Sequence, residues 1–179
     1  MTIEEIMSRR LGDRRFLSCE LPAESVEKIL RAALLTAYGE EENTVELFVT
    51  DDARLTERLA DARDCGSECV LGAPLVVVVA ADRLYDGAWG EHCSAAVWAM
   101  CAQAAEAGLA YCPVQIRGYR LTDGTMSDEV VRGTLGIPDS KTVYAVVAFG
   151  KTAAESNAVA ADSEMLDWQR VHVAGGTEG

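Results

Sequence analysis

The chain is poor in histidine, in basic charge and in long apolar runs, and each shortage closes off a class of function. Only two histidines occur, His92 and His172. With no Gly-x-Ser-x-Gly elbow either, hydrolytic arrangements built on a positioned imidazole have little to draw on. His92 directly precedes Cys93, so on a helix the two side chains diverge by about 100° and do not form a nucleophile–base pair. His92 reads as an exposed or capping residue and His172 as a tail residue. The longest apolar stretch, Ala73–Ala81, is about half the roughly 18–20 residues that cross a bilayer, so no transmembrane helix is expected. The opening residues carry acids, Glu4 and Glu5, where a secretory signal carries bases, and a cytoplasmic location is expected. No Gly-x-Gly-x-x-Gly and no Gly-x-x-x-x-Gly-Lys follows a strand-like segment, which removes the dinucleotide fingerprint and the phosphate loop.

Sixteen Lys and Arg stand against 29 Asp and Glu, a net charge of −13 over 179 residues. Non-specific attraction to nucleic acid or to an anionic membrane is therefore not expected of the molecule as a whole. An anionic ligand needs a local basic site, and four of the sixteen cations, Arg9, Arg10, Arg14 and Arg15, fall within residues 9–15. Guanidinium forks fit phosphate oxygens bidentately, and Arg9, Arg10 and Arg14 can surround a phosphate monoester if the chain turns at Gly12. A solvated charged face is the alternative. The six cysteines, Cys19, Cys65, Cys69, Cys93, Cys101 and Cys112, read as free thiols in a reducing compartment, mostly buried. Cys65 and Cys69 lack the two further paired ligands a metal would need, so no metal site is expected.

At 49% apolar and 25% charged residues the composition is that of one globular domain. The apolar spacing predicts a short helix over 2–10 with Ile3, Ile6 and Met7 on one face, and a second from Pro22 to a stop at Gly39. A third, over about 52–63, is capped by Asp51 or Asp52 and turns Leu55 and Leu59 inward. Thr44–Thr50, Pro74–Ala80, Leu109–Ile116 and Thr142–Phe149 read as strands, the second apolar on both faces as a covered central strand requires. The segment 91–107 has almost no polar face, so its helix is either the core of the domain or the seam of a dimer. A last helix, over about 126–135, stops at Gly136 with Pro138 beyond. Strands alternating with helices predict a layered α/β or α+β sheet with helices on both faces. The tail, 152–179, is expected to wrap over a surface or over a partner subunit.

The order of several short motifs resembles the short form of the nitroreductase family. They are Ser8-Arg9-Arg10 through Arg14-Arg15-Phe16; Leu21-Pro22-Ala23-Glu24 leading to Ala32-Ala33; Ala73-Pro74 with its valine run; and Cys93-Ser94-Ala95-Ala96. Ala107-Gly108-Leu109, Leu135-Gly136-Ile137-Pro138, Ala148-Phe149-Gly150-Lys151 and Arg170-Val171-His172 complete the series. The resemblance covers about residues 3–173. It implies an α+β fold, a central, mostly antiparallel sheet flanked by helices, in one domain over 1–179 with 152–179 as an extended tail. It also implies a domain-swapped homodimer with FMN at the subunit interface. Carried over by position, Arg10, Gly12 and Arg14, with Arg9 beside them, would hold the FMN phosphate, which Gly150 and Lys151 approach from the other chain end. Pro113, Val114, Gln115 and Ile116 would bring backbone amides to the flavin edge, where a donor stabilises charge that develops on reduction.

The resemblance further implies transfer of hydride from NAD(P)H through FMN to a small planar acceptor such as a nitroaromatic or a quinone. The alternative is a family member without flavin catalysis that serves as a binding or structural dimer. Two positions depart from the family pattern: Gly12 stands where Ser is usual, and Ala37–Val45 keeps only Asn43, at a Gln position, of the usual ring-lining polar residues. Glu40, Glu41 and Glu42 in that segment would each disfavour an anionic reduced ring by on the order of 1 kcal/mol in a partly solvated site, lowering the flavin potential unless they point away. Tyr38 is the candidate for substrate stacking or proton donation, or else a packing aromatic at a helix end.

Overall fold

The computed structural model describes residues 2–8, 15–37, 43–152 and 167–172. Arg9, Arg10, Gly12, Arg14, Tyr38 and Glu40–Glu42 lie outside the described residues, as does the tail apart from 152 and 167–172.

Five helices and four strands follow one another along the described chain: α1 (Ile3–Ser8), α2 (Ala23–Leu35), β1 (Glu46–Thr50), α3 (Ala53–Ala60), β2 (Leu75–Ala81), α4 (Trp89–Glu106), β3 (Ala110–Gln115), α5 (Ser127–Leu135) and β4 (Thr142–Gly150). The strands form one sheet in the order β1-β2-β4-β3, every neighbouring pair antiparallel. The α+β antiparallel architecture is thus as expected, and each strand and helix lies where the residue pattern places it, to within a few positions at its ends.

Strand β2 shows why. Its side chains alternate between the two faces of the sheet, and all seven are buried. Val77 and Val79 join Ile29 of α2 and Met100 of α4 on one face; Val76 and Val78 join Leu59 of α3 and Val131 of α5 on the other. Each buried valine contributes about 1.5–3 kcal/mol relative to exposure, and the run serves both half-cores at once. Helix α4 packs along α2 and the sheet with Cys93, Ala96, Val97, Met100, Cys101 and Ala104 buried. On its remaining flank Ala95 is exposed and Trp98, Ala99 and Ala102 are only half-buried.

Three sequence expectations need correction. Helix α1 turns only Ile6 into the core; Ile3 is 79% and Met7 48% exposed. A capping box, in which the Glu5 carboxylate accepts from Thr2 N–H and Glu5 N–H donates to Thr2 Oγ1, starts this helix in place of a hydrophobic stripe. Helix α2 ends at Leu35, ahead of Gly39, because the Thr36 hydroxyl donates to the Ala33 carbonyl (2.7 Å) and the amides of Thr36 and Ala37 reach back only three residues, closing the last turn. The six cysteines are not all free: Cys69 and Cys112 form a disulfide with their Cα atoms 6.5 Å apart. Cys69 sits in a turn of 3-10 helix, Glu68–Val70, anchored by the Ser67 hydroxyl on Ala60 O (2.6 Å) and Arg63 O, and this places it behind β3.

Candidate active site

Because β1 and β4 run opposite to β2 and β3, the starts of the first pair and the ends of the second meet at one end of the sheet. Asn43 and Thr44 lead into β1 there. Asp82–Ala88 connects β2 to α4, and Gln115–Arg117 leaves β3. A buried carboxylate organises these segments. Asp86 Oδ2 accepts from Thr44 N–H (3.2 Å) and from His92 Nδ1 (2.8 Å), and Oδ1 from Ala88 N–H (3.0 Å). Burial pushes the Asp86 carboxyl up, but the hydrogen bonds from His92, Thr44 and Ala88, with the His92 charge, outweigh it and hold the group below its ordinary range. An ionised carboxylate only accepts, so His92 carries its proton on Nδ1. Thr44 adds a second tie, its hydroxyl accepting from Asp82 N–H at 2.9 Å. Next to it, Asn43 Oδ1 caps Val45 N–H (3.0 Å), while its Nδ2 is buried with no hydrogen-bond acceptor among the described residues. A buried amide donor left open in this way costs about 1–3 kcal/mol unless a ligand completes it.

At the exit of β3 the amides of Ile116 and Arg117 both donate to the Tyr144 carbonyl at 3.0 Å. β3 is an edge strand, and amides alternate in direction along it. With Ile116 N–H turned inward, Val114 N–H is inward too, Gln115 N–H points to the open edge, and Pro113 has no N–H to offer. The side chains of Val114 and Ile116 are buried in the half-core against α3 and α5. Of the four residues expected near a flavin edge, Gln115 is therefore the one with a backbone donor facing outward. Immediately beyond, the Arg117 guanidinium lies 4.6 Å over the Trp89 ring, and Trp89 stands edge-on to Tyr144 at 6.2 Å. From the opposite side Arg63 stacks at 3.7 Å on Tyr119.

The other end of the sheet holds Gly150 and Lys151. Leu17 N–H donates to the Lys151 carbonyl (2.7 Å), and the Phe16 ring lies so close on Gly150 that a Cβ there would come within 2.7–2.9 Å of it. The exposed Arg15 and Lys151 are thereby brought to one place, at the chain end of the basic stretch. Five residue steps separate this point, where Gly150 faces Ala110, from Ala145 opposite Gln115, about 17 Å along the strand. A cavity of about 550 Å³ opens nearby between Cys19, Thr50, Ala53 and Pro74, but Glu20 and Asp51 line it and make it a poor phosphate site.

Among the described residues no three His, Cys, Asp or Glu side chains converge as metal ligands. Cys93 and Cys101 are buried, and burial pushes both thiols up to about 12, so neither is a thiolate nucleophile. Asp86, Trp89 and Arg117 were not singled out by sequence reasoning. Arg117, two positions past the end of a strand that already carries candidate residues, was the one with a usable signal.

An antiparallel sheet between two helical layers, with polar groups gathered at the strand ends, defines an α+β scaffold. The sequence profile of the nitroreductase family matches residues 44–151, and the chain belongs to that family of oxidoreductases. It is similar to an FMN-dependent nitroreductase from Clostridium difficile R20291, 29% identical, covering 95% of this chain and 98% of that one with a TM-score of 0.87. A relative from Archaeoglobus fulgidus, provisionally named NADH dehydrogenase/NAD(P)H nitroreductase, is 27% identical over 95% of each chain. A nitroreductase-like protein from Desulfovibrio desulfuricans, solved in complex with FMN, shares the fold at a TM-score of 0.67 and 21% identity, over 85% of this chain and 86% of that one.

Proposed function

We propose that this protein is an FMN-dependent oxidoreductase that takes hydride from NAD(P)H and passes electrons to a small planar acceptor such as a nitroaromatic or a quinone. The observation that carries the reading is the outward-facing Gln115 N–H at one end of edge strand β3, with the basic corner of Arg15 and Lys151 at the other end. The strand length between them, about 17 Å, suits a tricyclic ring joined by a sugar-alcohol chain to a phosphate. Lys151, with Arg9, Arg10 and Arg14 at Gly12, would hold the phosphate; Pro113, Val114, Gln115 and Ile116 would form the wall at the ring edge. Bound FMN would supply the two-electron hydride chemistry. The chain contributes placement and donors, and Tyr38 remains the candidate for substrate stacking or proton donation.

The half-open flank of α4, Ala95, Trp98, Ala99 and Ala102, supports a homodimer in which a second protomer covers that flank and the 152–179 tail of a single domain reaches across. A cytoplasmic location is part of this reading; among the described residues no helix is long and apolar enough to cross a membrane.

Purified protein should be yellow, and its visible flavin band should bleach with NADH or NADPH under anaerobic conditions. The double variant Arg10→Ala, Arg14→Ala should lose a few kcal/mol of FMN affinity, each charge-assisted contact being worth about 1.5–3 kcal/mol. A colourless dimer that takes up no FMN would favour the non-catalytic alternative.

A further inference from the structure

We infer that Arg117 makes this site selective for acceptors that carry a carboxylate or a comparable anionic group. The inference rests on the flavin reading above and adds the substrate class.

In a protein of net charge −13, an arginine at a site mouth would ordinarily find a carboxylate partner. Lys141, at the same end of the sheet, does so, pairing with Glu46 at 2.5 Å. Arg117 has no ion-pair partner among the described residues and is held by other means. Its guanidinium lies over the Trp89 ring at 4.6 Å and occupies a notch that exists only because residue 90 is glycine, since a Cβ there would come within 2.3 Å of Nη1. Cation–π stacking on Trp89 and the space left by Gly90 orient the exposed group without neutralising it.

The notch is also the first turn of α4, a helix of 18 residues whose N-cap, Ala88, supplies no side-chain acceptor. The positive end of the helix dipole lies at the same place, opposed by the buried Asp86 carboxylate that accepts from Ala88 N–H. Two acids stand near. Asp86 is buried and already accepts three hydrogen bonds, one from His92. Glu91, in the same helical turn, is exposed, as Arg117 itself is, so solvent screens both charges. What remains is a cation whose donors are unfilled among the described residues, two residues past Gln115, the residue proposed to face the flavin edge.

The test compares 4-nitrobenzoate with the neutral 4-nitrobenzamide, two planar acceptors of nearly equal shape. Dissociation constants are measured by calorimetry on the oxidised FMN-loaded dimer without reductant, and kcat/KM with NAD(P)H. In the wild-type protein the carboxylate should bind up to about 5-fold more tightly than the amide, the range of one exposed ion pair. Arg117→Gln should collapse that ratio to near one. A ratio near one in the wild type, or a ratio preserved in Arg117→Gln, overturns the inference. If this happens with the flavin band intact, the flavin reading survives alone; if no flavin band is present, both fall together.

Discussion

Reduction of the Cys69–Cys112 bond offers a quantitative check on how the back of the site is held. The two cysteines are 43 residues apart in sequence. Closing a loop of that size in the unfolded chain removes about 13 cal/mol/K of entropy, or about 4 kcal/mol at 25 °C. For a domain of this length that corresponds to roughly 8–16 °C in Tm. The assay is urea unfolding followed by circular dichroism, with and without a phosphine reductant. The midpoint should fall on reduction, and Cys112→Ser should unfold like the reduced protein and be indifferent to the reductant. Thiol counting provides a second readout: the unreduced, denatured chain should titrate four thiols, those of Cys19, Cys65, Cys93 and Cys101. In the native protein the exposed Cys65 should react first, with Cys93 and Cys101 protected by burial. Six titratable thiols in the unreduced chain, with unfolding curves that coincide in the two conditions, would refute the pairing and return all six to the free state.

Gly150→Ala places a methyl group within 2.7–2.9 Å of the Phe16 ring; we expect a loss of about 1–3 kcal/mol in denaturant unfolding, together with weaker FMN retention as residues 16–17 come away from Lys151. Asp86→Asn leaves His92 Nδ1 and two backbone amides with a poorer acceptor, and should lower stability at pH 7 by about 1–3 kcal/mol. The Asp86 carboxyl is held below its unfolded value, so its contribution is fully present above the ordinary aspartate range and is lost as the pH falls through the lowered native value. The gap between wild type and Asp86→Asn should therefore narrow in acid, as read from unfolding midpoints at stepped pH.

Much of the scaffold was legible because local pattern and burial agree. Leu75–Ala81 is apolar on both faces and became one of the two inner strands, buried along its whole length. Ser127–Leu135 stops at Gly136, which adopts φ +67°, the left-handed conformation that glycine enters at little cost. The antiparallel order was less accessible: alternation of strands and helices is compatible with either direction, and only the family resemblance pointed to it. Ile3 and Met7 misled, since helical spacing identifies a shared face but does not say what covers it. At the site, the Asp86 hydrogen bond to Thr44 spans 42 residues and the partner of Cys69 lies on another element. No periodicity encodes either.

Strand β2 has a consequence for handling this enzyme outside its native state. Four consecutive valines without a charge, proline or glycine within Leu75–Ala81 are the composition of a self-associating cross-β segment. Native pairing with β1 and β4 hides it completely. Once heat frees it, copies from different chains compete with β1 and β4 for the same backbone groups, so clotting should outrun refolding and melting temperatures should drift with scan rate.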